Sequence, residues 1–268
     1  DAALRAVAGK REVEVTYTPT ETLNKKLALT SKERARLPVP PIKMSERDKS
    51  VLRGAADAEG LRLKHHNPTI HQRTAPQDER AKAVHDALEM ARIEALGARE
   101  MAGIRANLNI SFDEKCTQMG YHNLHDRRND TLPDALHILA RQAITGESIP
   151  PAAQKLVDLW SPWIADKLGQ NWAGDLGAEL SSQAGFAKAA RSLLRQLDLL
   201  SPEEGDPFSA PPEESQEPPP ENEETSQTCE MPSEQDKSES DDDSVSDTSP
   251  ADDGEQGEDG EDENESGS

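Results

Sequence analysis

The chain holds 268 residues and a formal net charge of −22, but that charge sits at one end. Residues 201–268 carry 26 acidic side chains and a single lysine, which leaves 26 acidic and 29 basic residues, a net of +3, in 1–200. An anionic tail and a nearly neutral body without a concentrated basic stripe exclude nucleic-acid binding, and no apolar run approaches the ~18 residues of a membrane span.

Aromatic residues make up only 3% of the chain, so its core is expected to be built from Leu, Ala, Val, Ile and Met. Trp160, Trp163 and Trp172 fall close together and mark one densely packed place. Two cysteines, Cys116 and Cys229, cannot make a disulfide framework, which fits a reducing cytoplasm. No charged-then-apolar leader is read at the start, and because the chain opens on Asp1 its native start is expected to lie upstream.

Ala2–Ala8 reads as the end of a helix stopped by Gly9. Arg11–Thr18 alternates, with Val13, Val15 and Tyr17 on one side and Glu12, Glu14 and Thr16 on the other, the pattern of a short half-buried strand. Leu37–Pro41 reads as an extended proline-rich link, because each proline restricts the residue before it. Ser45 and Asp48 have capping-box spacing and open a helix to about His65, closed by Asn67–Pro68. Thr74 and Gln77 repeat the spacing, with Pro76 in the first turn, and open one long helix through Leu108. At 1.5 Å per residue it would be roughly 45 Å long.

That helix has two apolar stripes. Val84, Leu88, Ala91, Ala95, Ala98 and Ala102 share one face, and Met90, Ile93, Gly97, Met101 and Ile104 lie nearly opposite. A helix apolar on two faces is enclosed by neighbours on both sides. Between the stripes, Lys82, Glu89, Arg92, Arg99 and Glu100 read as a solvated polar wedge, and Asp78 with Lys82 as an ordinary i, i+4 pair.

Ser111–Arg128 reads as irregular. Helices follow over Leu132–Ile144, ended by Gly146, over Pro151–Leu168, kinked or divided at Pro162, and over Ser182–Leu200. Residues 1–200 are therefore expected to form a mainly α, multi-helix domain with one small β element. From Ser201 onward Pro and Glu, then Asp, Glu, Ser and Gly, dominate. Like charge with so little apolar surface cannot offset the entropy of ordering, so 201–268 is expected to be a disordered acidic tail.

Several runs carry a resemblance. LRLKHH at 61–66, IHQRTAP at 70–76 and ARIEALGAREMAGIRANL at 91–108 resemble the CobT family, subunits of the aerobic, ATP-dependent cobaltochelatase. RAVAGKREVEV at 5–15, ARLPVPPIKM at 35–44 and VDLWSPWIADKLG at 157–169 agree in the same order, so the likeness spans about residues 1–200. It implies a non-catalytic assembly or coupling subunit in aerobic cobalamin biosynthesis. A large chelatase subunit would insert Co²⁺ into hydrogenobyrinic acid a,c-diamide, an AAA+ ATPase partner would hydrolyse ATP, and the complex would require ATP, Mg²⁺ and Co²⁺. The family also carries, beyond an acidic linker, a von Willebrand type A domain with a DxSxS metal site. Asp242, Ser244 and Ser246 spell that pattern, but without the apolar strand that would hold such a loop, so it reads as a coincidence of composition and the chain as a fragment.

The residues themselves assign no catalytic machinery. There is no GxxxxGK[ST] and no GxGxxG, so the chain is not expected to hydrolyse ATP. His65, His66 and His71 flank the turn at Asn67–Pro68, and His122 and His125 lie near Cys116. Imidazole suits cobalt or zinc, yet HExxH, CxxC and zinc-finger spacings are absent. These five histidines are the metal-ligand candidates, and their plainer reading is as caps on helix ends. His85 and His137 read as packing residues, and Cys116 as a structural or free thiol in a polar loop. Two rival functions stay open: a stand-alone helical adaptor or chaperone whose acidic tail engages basic clients, and a metal-delivery module built on the five histidines.

Overall fold

In the computed structural model, which describes residues 2–19, 34–201, 204–205 and 207–208, the chain opens with α1 (Ala2–Ala8) and β1 (Glu14–Thr18). The expected proline-rich link is instead partly a second strand, β2 (Arg34–Pro38), paired with β1 in parallel from Glu14↔Arg34 to Thr18↔Pro38. Ala35 and Leu37 are buried while Arg34 and Arg36 are exposed, the two-residue period of a strand with one covered face. The extended backbone that proline imposes is compatible with a strand end, which is why the two readings look alike in sequence. Tyr17, expected inward with Val13 and Val15, is half-exposed.

The capping box forms as read: Asp48 N–H donates to Ser45 Oγ and Ser45 N–H to Asp48 Oδ2, opening α2 (Glu46–His65). Asn67 does more than close it. Its Oδ1 accepts from the backbone of Thr69 and Ile70 and starts a short helix, α3 (Pro68–Thr74). The next helix, α4 (Glu79–Glu100), is capped by Asp78, whose Oδ1 accepts from Arg80 N and Ala81 N. Thr74 is spent elsewhere, donating to the carbonyl of Ile70. With Asp78 committed to the cap, Lys82 reaches Asp86 at 3.2 Å rather than Asp78.

The long helix is in fact two. Met101, at φ −142 and ψ 115, separates α4 from α5 (Ala102–Gln118), with glycines 97 and 103 flanking the break. The break has a packing reason. It folds the second stripe back on itself, so that Ile104 and Leu108 of α5 join Ile93 of α4 and Leu61 of α2 in one cluster. The first stripe enters the main core: Val84, Leu88, Ala91 and Ala95 are fully buried among residues of the later helices. Enclosure on both faces is thus observed. Helix α5 also covers the start of the stretch expected to be irregular, so Cys116 is helical and buried. Burial pushes its thiol up to about 12, as a structural thiol requires.

Helix α6 (Leu132–Thr145) stops at Gly146, whose φ of +73° suits glycine. A 3₁₀ turn at Pro151–Ala153 leads into α7 (Gln154–Leu168), which runs through Pro162 without being divided. Helices α8 (Gly174–Ala178) and α9 (Gln183–Gln196, capped by Ser182) complete the set. Trp160 is buried, donates to Thr131 Oγ1 at 3.0 Å and meets Trp163 edge-on, with Trp163 and Trp172 packed at the core margin. Among the described residues the fold is mainly α, with nine helices and one two-stranded sheet, and no helix is long and apolar enough to cross a membrane.

Past Leu200, Glu204 Oε1 accepts from Gln77 N, and Arg191 donates to the carbonyl of Gly205. The acidic tail was expected from Ser201, so these first residues of it are held on the body instead, and its remainder, with the DxSxS run, lies outside the described residues.

Candidate functional site

The polar wedge of α4 is solvated at its ends, where Lys82, Arg99 and Glu100 are exposed, but not in its middle. Glu89 and Arg92 are 4% and 1% exposed, and His85 and Asp86 beside them are buried as well. The two apolar stripes leave only a narrow sector between them, and neighbours that cover both stripes close over that sector too. Every polar atom there needs a partner.

Arg92 supplies most of them. Its Nε and Nη2 donate to the two oxygens of Glu89, both at 2.8 Å, its Nη2 to the carbonyl of His65 at 2.7 Å, and its Nη1 to the carbonyl of Leu180. His66 Nδ1 lies 2.8 Å from Glu89 Oε1. One ion pair therefore joins the end of α2, the middle of α4 and the segment before α9. Burial alone would raise the Glu89 carboxyl, but Arg92 and His66 hold it below its ordinary value. Gln183, at the first turn of α9, exchanges hydrogen bonds with the backbone of Asn67.

One turn earlier on α4 lies a second group. His71 Nε2 is 2.7 Å from Asp86 Oδ1, and Lys82 Nζ donates to Asp86 Oδ2. The rings of His66, His71 and His85 form a row, with centroids 4.9 and 4.7 Å apart. His85 Nε2 is 3.4 Å from Thr74 Oγ1, while its Nδ1 is buried with no hydrogen-bond partner. Burial, then the neighbouring His71, draws the His85 imidazole down to about 4, so it stays neutral. Arg191 donates to the Thr74 carbonyl and holds the end of α3 in place.

Residues 1–268 match the family described as cobalamin biosynthesis protein CobT. The chain belongs to the CobT family. No solved structure matches it. Membership gives this CobT-family chain a role in cobalamin biosynthesis and links it to the cobaltochelatase, a multi-subunit ligase.

Of the histidines singled out in the CobT sequence, the structure brings two together. His66 and His71 stand in the buried row, and His65 supplies its carbonyl to Arg92 while its ring lies 3.7 Å from Glu100. His122 and His125 are exposed in the segment after α5 and take no part in the row. His85 and Asp86 were not among the candidates. Their signal was the short spacing His85, Asp86, Glu89, Arg92, which puts four polar residues on one flank of a helix already apolar on both sides. His137 does pack, edge-on against Phe112, but it is also within 3.3 Å of Glu94.

Glu94 anchors the opposite flank of α4. Its Oε2 lies 3.3 Å from His137 Nε2 and 3.2 Å from Arg141 Nε, close enough for ion pairing though out of line for hydrogen bonding. Burial would raise this carboxyl, yet His137 and Arg141 hold it down to about 2. A depressed carboxyl contributes stability that is present above its usual 4.5 and is lost as pH falls toward 2. The full range corresponds to roughly 3 kcal/mol. Urea midpoints for the CobT chain and its Glu94→Gln variant should therefore differ most above pH 5 and converge as pH approaches 2. A gap that stays constant with pH would refute the assigned ionisation.

Proposed function

We propose that this chain is a non-catalytic assembly and coupling subunit of the aerobic, ATP-dependent cobaltochelatase. The match to the CobT family over residues 1–268 carries this reading. The sequence holds no phosphate-binding loop, so ATP hydrolysis belongs to an AAA+ partner with Mg²⁺, and insertion of Co²⁺ into hydrogenobyrinic acid a,c-diamide to a large chelatase subunit. The helical body docks on the ATPase, and the acidic tail serves as its tether to the rest of the complex. A cytoplasmic setting follows from the reaction it serves.

The geometry supports a docking role over a catalytic one. Burial holds His85 neutral, so it carries no acid–base chemistry near neutral pH, and Cys116 is a buried thiol. What the surface does offer is an apolar strip on the segment after β2, where Val39, Ile42 and Met44 are exposed, Ile42 completely. Exposed apolar side chains in a row suit a partner surface.

Light scattering behind size exclusion tests the reading. The full chain mixed with the cognate AAA+ subunit and Mg-ATP should elute as one ring-sized complex, and Ile42→Asp should weaken that complex. Separate elution of the unaltered chain would overturn the assembly role and favour the stand-alone adaptor.

A further inference from the structure

We propose that His71, His85 and Asp86 form a binding site for one first-row divalent cation of borderline softness, the class of Co²⁺ and Zn²⁺. Among the described residues these three are the group of potential ligands whose donor atoms all lie within 4.8 Å of one another, and all three are buried. An ion with bonds of about 2.0–2.2 Å holds tetrahedral ligand atoms about 3.3–3.6 Å apart, so the set closes on an ion with side-chain shifts of up to about 1 Å.

The donor set selects the ion. Two imidazoles and one carboxylate suit Fe²⁺ through Zn²⁺, whereas Mg²⁺ and Ca²⁺ take oxygen. The surroundings are already those of a metal ligand set. Thr74 Oγ1 donates its one proton to a backbone carbonyl, so toward His85 Nε2 it accepts. That places the His85 proton on Nε2 and leaves Nδ1 as a bare lone pair, which is the buried nitrogen without a partner. Lys82 steadies Asp86 through its other oxygen, as outer groups steady ligating carboxylates. His66 falls outside the converging set, its Nδ1 facing Glu89, and the 2.7 Å hydrogen bond between His71 Nε2 and Asp86 Oδ1 is the contact an ion would replace. His71 comes from α3, only seven residues long, and the other two ligands from α4. A bound ion would pin a helix too short to be stable alone onto the central helix of the body.

This site is independent of whether the body docks on an ATPase. It also departs from a set built on His65, His122 and His125, none of which contributes.

The test is titration of the full chain with Co²⁺ in a large excess of Mg²⁺, which occupies the oxygen-only sites of the acidic tail. One Co²⁺ per chain is expected, with visible bands of nitrogen ligation, X-ray absorption showing two imidazoles, displacement by Zn²⁺, and a metal-dependent rise in the melting temperature. His71→Gln and His85→Gln should each weaken binding by more than about 100-fold, since loss of even an outer-shell partner costs 10–100-fold. The double variant His122→Ala/His125→Ala should bind as the parent does. Uptake that Mg²⁺ abolishes, or an absorption spectrum with oxygen ligands only, would overturn the site in the unaltered protein, whatever the variants do. A nitrogen-ligated ion lost from the His122→Ala/His125→Ala chain would overturn it equally.

Discussion

Replacing Arg92 by Met should cost about 3–5 kcal/mol of folding stability, the scale of breaking a buried ion pair by removing one partner. Glu89 would remain 4% exposed with an uncompensated charge, because His66 alone cannot replace the two donors that Arg92 gives it. The carbonyls of His65 and Leu180 would lose their donor at the same time. The double variant Glu89→Gln/Arg92→Met removes both charges, and should be less destabilised than Arg92→Met alone, since neutral residues of similar size tolerate a dry site. Urea denaturation of the three proteins decides it. A loss below about 1 kcal/mol for Arg92→Met, the level of a surface pair, would mean that this wedge opens to water in solution.

That pair also shows where sequence reading ends. Several local signals were legible: Ser45 and Asp48 close their capping box, Gly146 stops α6, and Val84, Leu88, Ala91 and Ala95 face a core, although the cap read at Thr74 falls to Asp78 instead. Each depends on residues a few positions apart. The break at Met101 was not legible, because its cause is Leu61, forty residues away, against which Ile104 must fold back. Strand β2 was missed for the same reason: its partner β1 lies across residues 19–33, and extended backbone before proline looks the same paired or unpaired. The site was half-legible. His66 and His71 drew notice as histidines, but His85 and Asp86 acquire meaning only when α3 folds over them, and Glu89 and Arg92 look like solvated charges until both neighbouring stripes are known to be covered.

A methyl group at position 54 should destabilise the protein by about 1–3 kcal/mol or more, the cost of overpacking a tight contact. An ideal Cβ on Gly54 would stand 2.2 Å from the Asn107 carbonyl oxygen and 2.6 Å from Ser111 Cβ, so backbone of α5 itself blocks it. On helix propensity alone the sign would be opposite, since alanine is favoured over glycine in a helix by about 1 kcal/mol. Gly103, on α5, supplies the contrast: nothing lies within 4 Å of its Cβ position, and Gly103→Ala should be neutral or stabilising. The consequence of Gly54→Ala reaches the site. Pushing α5 away from α2 strains the bond from Asn107 Nδ2 to Asp57 Oδ2, and burial already raises that carboxyl, so Asp57 would be left with less to offset its desolvation. The same helix α2 ends at His65, where Arg92 and Glu89 clasp it and its cap His66, so a shift at Gly54, mid-helix, should also loosen its C-terminal end. Melting temperatures of the two alanine variants, measured side by side, should separate, Gly54→Ala falling below the parent and Gly103→Ala at or above it. If Gly54→Ala instead melts with Gly103→Ala at or above the parent, α2 and α5 are not in close contact at Gly54.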